Sequence, residues 1–143
     1  MKHTVFFIGS ILFIVLVTCS QTYPQIAFAS NDVVIARGNG IVNVSGTGTA
    51  ELKCSGYIKL TNNPTVEIIG DEGTMIDLDE KTSLYINFNG TMVVTGEDMD
   101  VECGGANIVL RSHIEGVVFL TGSGYYRKGM KTFFWDADGV TLD

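Results

Sequence analysis

One short pattern recurs six times along this chain. A glycine is followed by four or five apolar or alternating residues and then by a small polar residue. The first copy is Gly40-Ile41-Val42-Asn43-Val44-Ser45-Gly46, and the others begin at Gly56, Gly73, Gly90, Gly116 and Gly139. β-Branched and alternating residues suit a pleated, half-buried surface, and glycine between them lets the backbone turn or bend. Alternation also runs between the glycines. Ala50, Leu52 and Cys54 are interleaved with Glu51 and Lys53; Leu84, Ile86 and Phe88 with Tyr85 and Asn87; Met99, Val101 and Cys103 with Asp100 and Glu102. A period of two places one set on a core face and the other toward solvent. No stretch after residue 29 carries a helical period, so the expected fold class is all-β.

The N-terminus reads differently. Lys2 and His3 precede an apolar run from Val5 to Val17, and Ala27-Phe28-Ala29 supplies the small-x-small site of a secretory signal peptide. Residues 1–29 are expected to be removed, leaving 30–143 as a single domain outside the cytoplasm. The apolar run is shorter than the ~20 residues of a comfortable membrane span. Two alternatives remain: an uncleaved N-terminal anchor, and a lipid on Cys19, whose Leu16-Val17-Thr18-Cys19 context resembles a lipobox. No second apolar span follows, so the mature domain is not expected to cross a membrane.

Charge narrows the partners. Sixteen acidic residues stand against nine basic ones, a net charge of −7, and with Lys2 removed the mature part is more negative still. Nucleic acid is an improbable partner, because affinity for phosphates rests on clustered Lys and Arg. Only Arg127-Lys128 with Lys131 makes a local cluster.

Turn signals fall at Gly38-Asn39-Gly40, Gly46-Thr47-Gly48, Thr61-Asn62-Asn63-Pro64, Asp71-Glu72-Gly73, Asn89-Gly90, Gly104-Gly105 and Asp138-Gly139. Asn-Gly between alternating runs is a strong hairpin cue. The expected architecture is therefore an antiparallel β-sandwich or barrel of about ten short strands. The alternative is a β-solenoid. The first four glycine units start at 40, 56, 73 and 90, spaced by 16, 17 and 17 residues. In that rhythm the chain resembles bactofilin-like proteins, which implies stacked parallel coils; the later spacings, 26 and 23, break it. Residues 40–60 can also be laid on 90–110 as a duplication, with a one-residue slip that sets Cys103 on Cys54.

Few residues invite chemistry. Cys54 and Cys103 are the cysteines of the mature part, both on alternating apolar faces, and a disulfide between them is expected. His113, the one histidine left after the leader, is better suited to a solvated turn than to a metal site, which wants further imidazole, thiolate or carboxylate partners. Asp136 and Asp138, in Asp136-Ala137-Asp138-Gly139, resemble half of a calcium loop without its remaining oxygens. Tyr125, Tyr126 and Trp135 gather aromatic faces that could stack on a sugar, or equally serve as packing in a closing hairpin. No cofactor and no catalytic constellation is expected. The reading is an exported, non-enzymatic β-protein of the cell envelope or extracellular space, structural or adhesive, whose partners are envelope or extracellular surface components. The alternative is a small module binding carbohydrate or calcium.

Overall fold

The structure is a computed structural model and describes residues 33–143. The expected leader, its Ala29 cleavage site and Cys19 lie outside the described residues. Among the described residues six strands make one antiparallel sheet: β1 (Val34–Thr61), β2 (Thr65–Asp71), β3 (Thr74–Asp79), β4 (Thr82–Lys128), β5 (Lys131–Trp135) and β6 (Val140–Leu142). Every pairing is antiparallel. The solenoid alternative is thereby overturned, since its coils would pair in parallel. The sheet is not closed. β2 and β3 border it on one side and β5 and β6 on the other, and among the described residues each pairs only with β4.

The expectation of about ten short strands also needs correcting, because β1 and β4 run for 28 and 47 residues. Gly38-Asn39-Gly40, Gly46-Thr47-Gly48, Asn89-Gly90 and Gly104-Gly105 lie inside these strands and end neither of them. A straight strand of 28 residues would span ~90 Å at ~3.3 Å per residue. A domain of this size has a radius of gyration of only ~13 Å. The strands must therefore bend, and glycine bends a strand without ending its ladder.

The register shows how they bend. One row crosses the sheet as Lys131, Lys128, Val34, Ser112, Ala50, Val94 and Val66, each residue paired with the next. It meets β1 twice and β4 three times. Residues 100–112 of β4 lie between two stretches of β1: Cys103 pairs with both Val42 and Ile58, and Leu110 with both Ala36 and Leu52. The two long strands wind around each other, so that one continuous face closes over a single core.

That face is legible in β1. Its buried residues are Val34, Ala36, Val42, Val44, Ala50, Leu52, Cys54, Ile58 and Leu60, all of even number, so the strand never turns over. The gaps in the row are Gly38, Gly40, Gly46, Gly48 and Gly56. There the backbone of β4 comes so close that an added Cβ would collide with it. β4 follows a different rule. Its buried residues are even-numbered from Phe88 to Val94, odd from Met99 to Cys103, and even again from Ile108. Each change of parity coincides with a register shift of one residue and with a non-glycine in the left-handed region, Asp98 (φ 47) and Asn107 (φ 54). These are β-bulges, and each returns the apolar set to the core. The one-residue slip in the proposed duplication falls between the same two points.

Candidate functional surface

The interior is apolar. Among the described residues the buried polar side chains are Thr82 and Ser112. The remaining chemistry inside is the thiol pair. Cys54 and Cys103 are both buried and both free. The expected disulfide is not formed, but the two thiols are close enough to hydrogen-bond each other. In a flat sheet they would be far apart, because Cys103 pairs with Ile58, four residues from Cys54 and ~13 Å along the strand. Between them Gly56 pairs with Gly105, and a Cβ on Gly56 would lie 2.8 Å from the Gly105 Cα. The sheet folds sharply at this glycine pair and brings the thiols together on its concave face. The pair is electrically asymmetric. The Cys103 S–H, donated to Cys54, holds Cys54 below the usual thiol range, whereas that hydrogen bond and burial push Cys103 up.

The outer face carries most of the polar network. Tyr57 lies over Gly104, where any Cβ would strike its ring, and its hydroxyl donates a 2.7 Å hydrogen bond to Glu102 Oε1. Burial, with that bond and the Glu102 charge added, pushes the phenol up to about 12. Ser45 Oγ lies 3.0 Å from Asn43 Oδ1 and 3.1 Å from Asp100 Oδ1. His113 is exposed on β4 opposite Thr49 rather than in a turn.

The aromatic residues divide between the two faces. Tyr126 and Trp135 are buried, at 8% and 5% exposure, and Tyr126 stacks on Phe133 with ring centroids 5.1 Å apart. The Trp135 indole covers Gly38 and Gly124, which lack the side chains that would displace it. Of the three aromatics singled out from sequence, only Tyr125 faces outward, where it pairs across the ladder with Phe134, 81% exposed. Tyr125 neighbours Arg37 on β1, Arg37 neighbours Val109, and Val109 neighbours Lys53. Arg37, Asn39, Lys53 and Asn107 line an open hollow of about 290 Å³ here. Arg111 and Arg127 flank Ile35 in the next outward row. Thus Arg37, Lys53, Arg111 and Arg127, four of the nine Lys and Arg, share one region of an acidic protein. Sequence reading missed this group because its members are scattered along the chain; strand parity was the signal that could have found it.

Asp136 and Asp138 sit in the turn after β5, where the Asp138 N–H donates to Asp136 Oδ1 at 2.9 Å. Among the described residues no three His, Cys, Asp or Glu side chains gather to hold a metal ion. Among them, too, no helix is long and apolar enough to cross a membrane. Comparison with protein-family models, with curated proteins and with solved structures finds no match.

Proposed function

We propose that the chain is an exported, non-enzymatic β-protein that works through its surface, as a structural or adhesive component of the cell envelope or extracellular space. The sheet is read as a sandwich-like wrap whose interior only packs. One observation carries the functional reading: apolar side chains are exposed along a free border of the sheet. Ile69, Met75, Ile76 and Leu78 of β2 and β3 are 62%, 48%, 39% and 52% exposed. Exposed apolar groups on an edge strand suit contact with another macromolecule. Export rests on the leader pattern of residues 1–29. Cell fractionation with N-terminal sequencing tests both parts. The expected result is protein in the envelope or extracellular matrix beginning at Ser30. Cytoplasmic protein beginning at Met1 would overturn the reading, and a start at lipid-bearing Cys19 would replace cleavage with anchoring.

A second reading is favoured by the outward row Phe134, Tyr125, Arg37, Val109 and Lys53. Aromatic faces beside guanidinium and ammonium groups suit an acidic carbohydrate, whose rings stack and whose carboxylates pair with Arg. Isothermal titration with an acidic polysaccharide tests it. Binding lost in Arg37→Ala and Tyr125→Ala supports it, and equal heats for the variants and the native protein overturn it.

A further inference from the structure

The two borders of the sheet are complementary. Among the described residues β3 and β5 each have a neighbour on one side only, which leaves the backbone N–H and C=O groups of the other side for a further strand. They are similar in length, six and five residues. Both expose apolar side chains: Ile76 and Leu78 are 39% and 52% exposed, and Phe134, on the outer face, and Phe133, at the rim of the core face, are 81% and 41% exposed. Their charges are opposite. β3 contains Asp77 and Asp79, with Asp71, Glu72 and Glu80 beside it against the cation Lys81 in the turn that follows. β5 begins with Lys131 and contains no acid, and its hairpin partner ends in Arg127-Lys128. The acids Asp136 and Asp138 come only after Trp135.

From this we infer that the partner of the β3 border is β5 of a second copy of the chain. This rests on the structural reading above and names its partner. β5 adds antiparallel to β3, with Lys131 opposite Asp79, Thr132 opposite Leu78 and Phe134 opposite Ile76. The added strand completes the open ladder, pairs Lys131 with an acid, and covers Ile76 with Phe134. The same charges disfavour the symmetric alternatives. β3 against β3 would bring two acidic borders together, and β5 against β5 two basic ones. A contact between two different borders leaves one free at each end. Copies therefore add in a row instead of stopping at a dimer.

Sedimentation velocity on the protein recovered from cells tests this, with carbodiimide cross-linking to join carboxylates to lysines. The native protein should form species larger than a dimer as concentration rises, with a Lys131–Asp79 cross-link between copies. Asp77→Lys with Asp79→Lys, and separately Lys128→Glu with Lys131→Glu, should each weaken association at least about tenfold. Mixing the two variants should restore it, because every border in the mixture again meets an opposite charge. Circular dichroism must show each variant folded; where a reversal unfolds the chain, Lys131→Gln with Asp79→Asn serves instead, with the same expected weakening. A native protein that stays monomeric, a mixture that fails to recover, or cross-links joining β3 to β3 would overturn the inference. A monomer that still fractionates with the envelope would overturn only the self-assembly and leave the structural reading standing.

Discussion

Gly46 and Gly116 face each other across the β1–β4 ladder with no room between them for a methyl group. A Cβ on Gly46 would lie 2.8 Å from the Gly116 Cα, and one on Gly116 would lie 2.7 Å from the Gly46 Cα. Gly40 with Gly122 and Gly56 with Gly105 repeat the arrangement. These pairs explain how strands of such length fit a small domain. Where two backbones touch, the sheet can fold sharply, and the bulky residues on either side of the fold then meet in the core.

Alanine at these sites separates two costs. Gly46 has φ 147, outside the range of ordinary side chains, and is also blocked by the opposite backbone. Gly46→Ala is expected to destabilise by about 3 kcal/mol or more, combining backbone strain with overpacking. Gly116 meets only the steric part, so Gly116→Ala should cost about 1–3 kcal/mol. Gly129, at φ 63 with nothing within 4 Å of its missing Cβ, is the control, and Gly129→Ala should cost about 1 kcal/mol. Urea unfolding of the three variants measures this order. Equal losses at Gly46 and Gly129 would show that close approach contributes nothing.

The thiol pair is expected to become a disulfide wherever the chain folds in an oxidising compartment. Two electrons and two protons leave the thiols, and an exchange disulfide accepts them to become two thiols. Closing the loop from Cys54 to Cys103 should stabilise the fold by about 4 kcal/mol in the chain-entropy model. Both sulfurs are buried, so the folded, reduced protein should react with iodoacetamide only as fast as it opens. Intact mass after alkylation, with and without prior reduction, reports both properties. Two free thiols in protein recovered from outside the cytoplasm would refute the bridge.

Tyr57 gives a signature in alkali. Its phenol is raised from 10 to about 12 in the fold. Below pH ~10 it is neutral in both states and its contribution is fully present. Between ~10 and ~12 the unfolded chain ionises first, and the contribution is lost as pH rises through the folded value. Stability should fall across that window more steeply in the native protein than in Tyr57→Phe. Glu102→Gln keeps the hydrogen bond but removes the charge, and should shift the Tyr57 transition downward. Absorbance titration at the tyrosinate band measures the shift, and parallel curves for all three proteins would rule the assignment out.

Alternation was readable from residues alone, because the core selects for it directly. Ala50, Leu52, Met99, Val101 and Cys103 read as inward-facing and are all at most 1% exposed. Ile76 and Leu78 show the same alternation, yet they are 39% and 52% exposed. Their strand lies at the border, beyond the reach of the core, and a local pattern carries no information about distance from the centre. The glycines misled for a related reason. A glycine that ends a strand and one that lets two strands touch are the same letter, and only the opposing residue tells them apart. At Gly46 that residue is Gly116, which lies 70 positions away. The outward row of Tyr125, Arg37 and Lys53 was hidden in the same way, since nothing local joins its members.

The bulges make the last prediction. Asp98 and Asn107 hold φ of 47 and 54, and between them the core face of β4 is the odd one. Asparagine, aspartate and glycine tolerate this region, while β-branched residues strongly resist it. Asn107 also donates its N–H to Asn39 Oδ1 at 2.9 Å, a bond that any residue except proline can keep. Asp98→Gly and Asn107→Gly should therefore change stability by less than about 1 kcal/mol. Asp98→Val and Asn107→Val should each cost about 2 kcal/mol or more through strain. If valine instead forces out the bulge, the ladder slips by one residue. Met99, Val101 and Cys103 would then turn to solvent while Asp100 and Glu102 turned inward, a loss far beyond that strain. Denaturant midpoints measure the first cost, and thiol labelling of Cys103 in the folded state detects the second. Valine variants as stable as the glycine variants, with Cys103 still protected, would mean that the bulges do not set the register of β4.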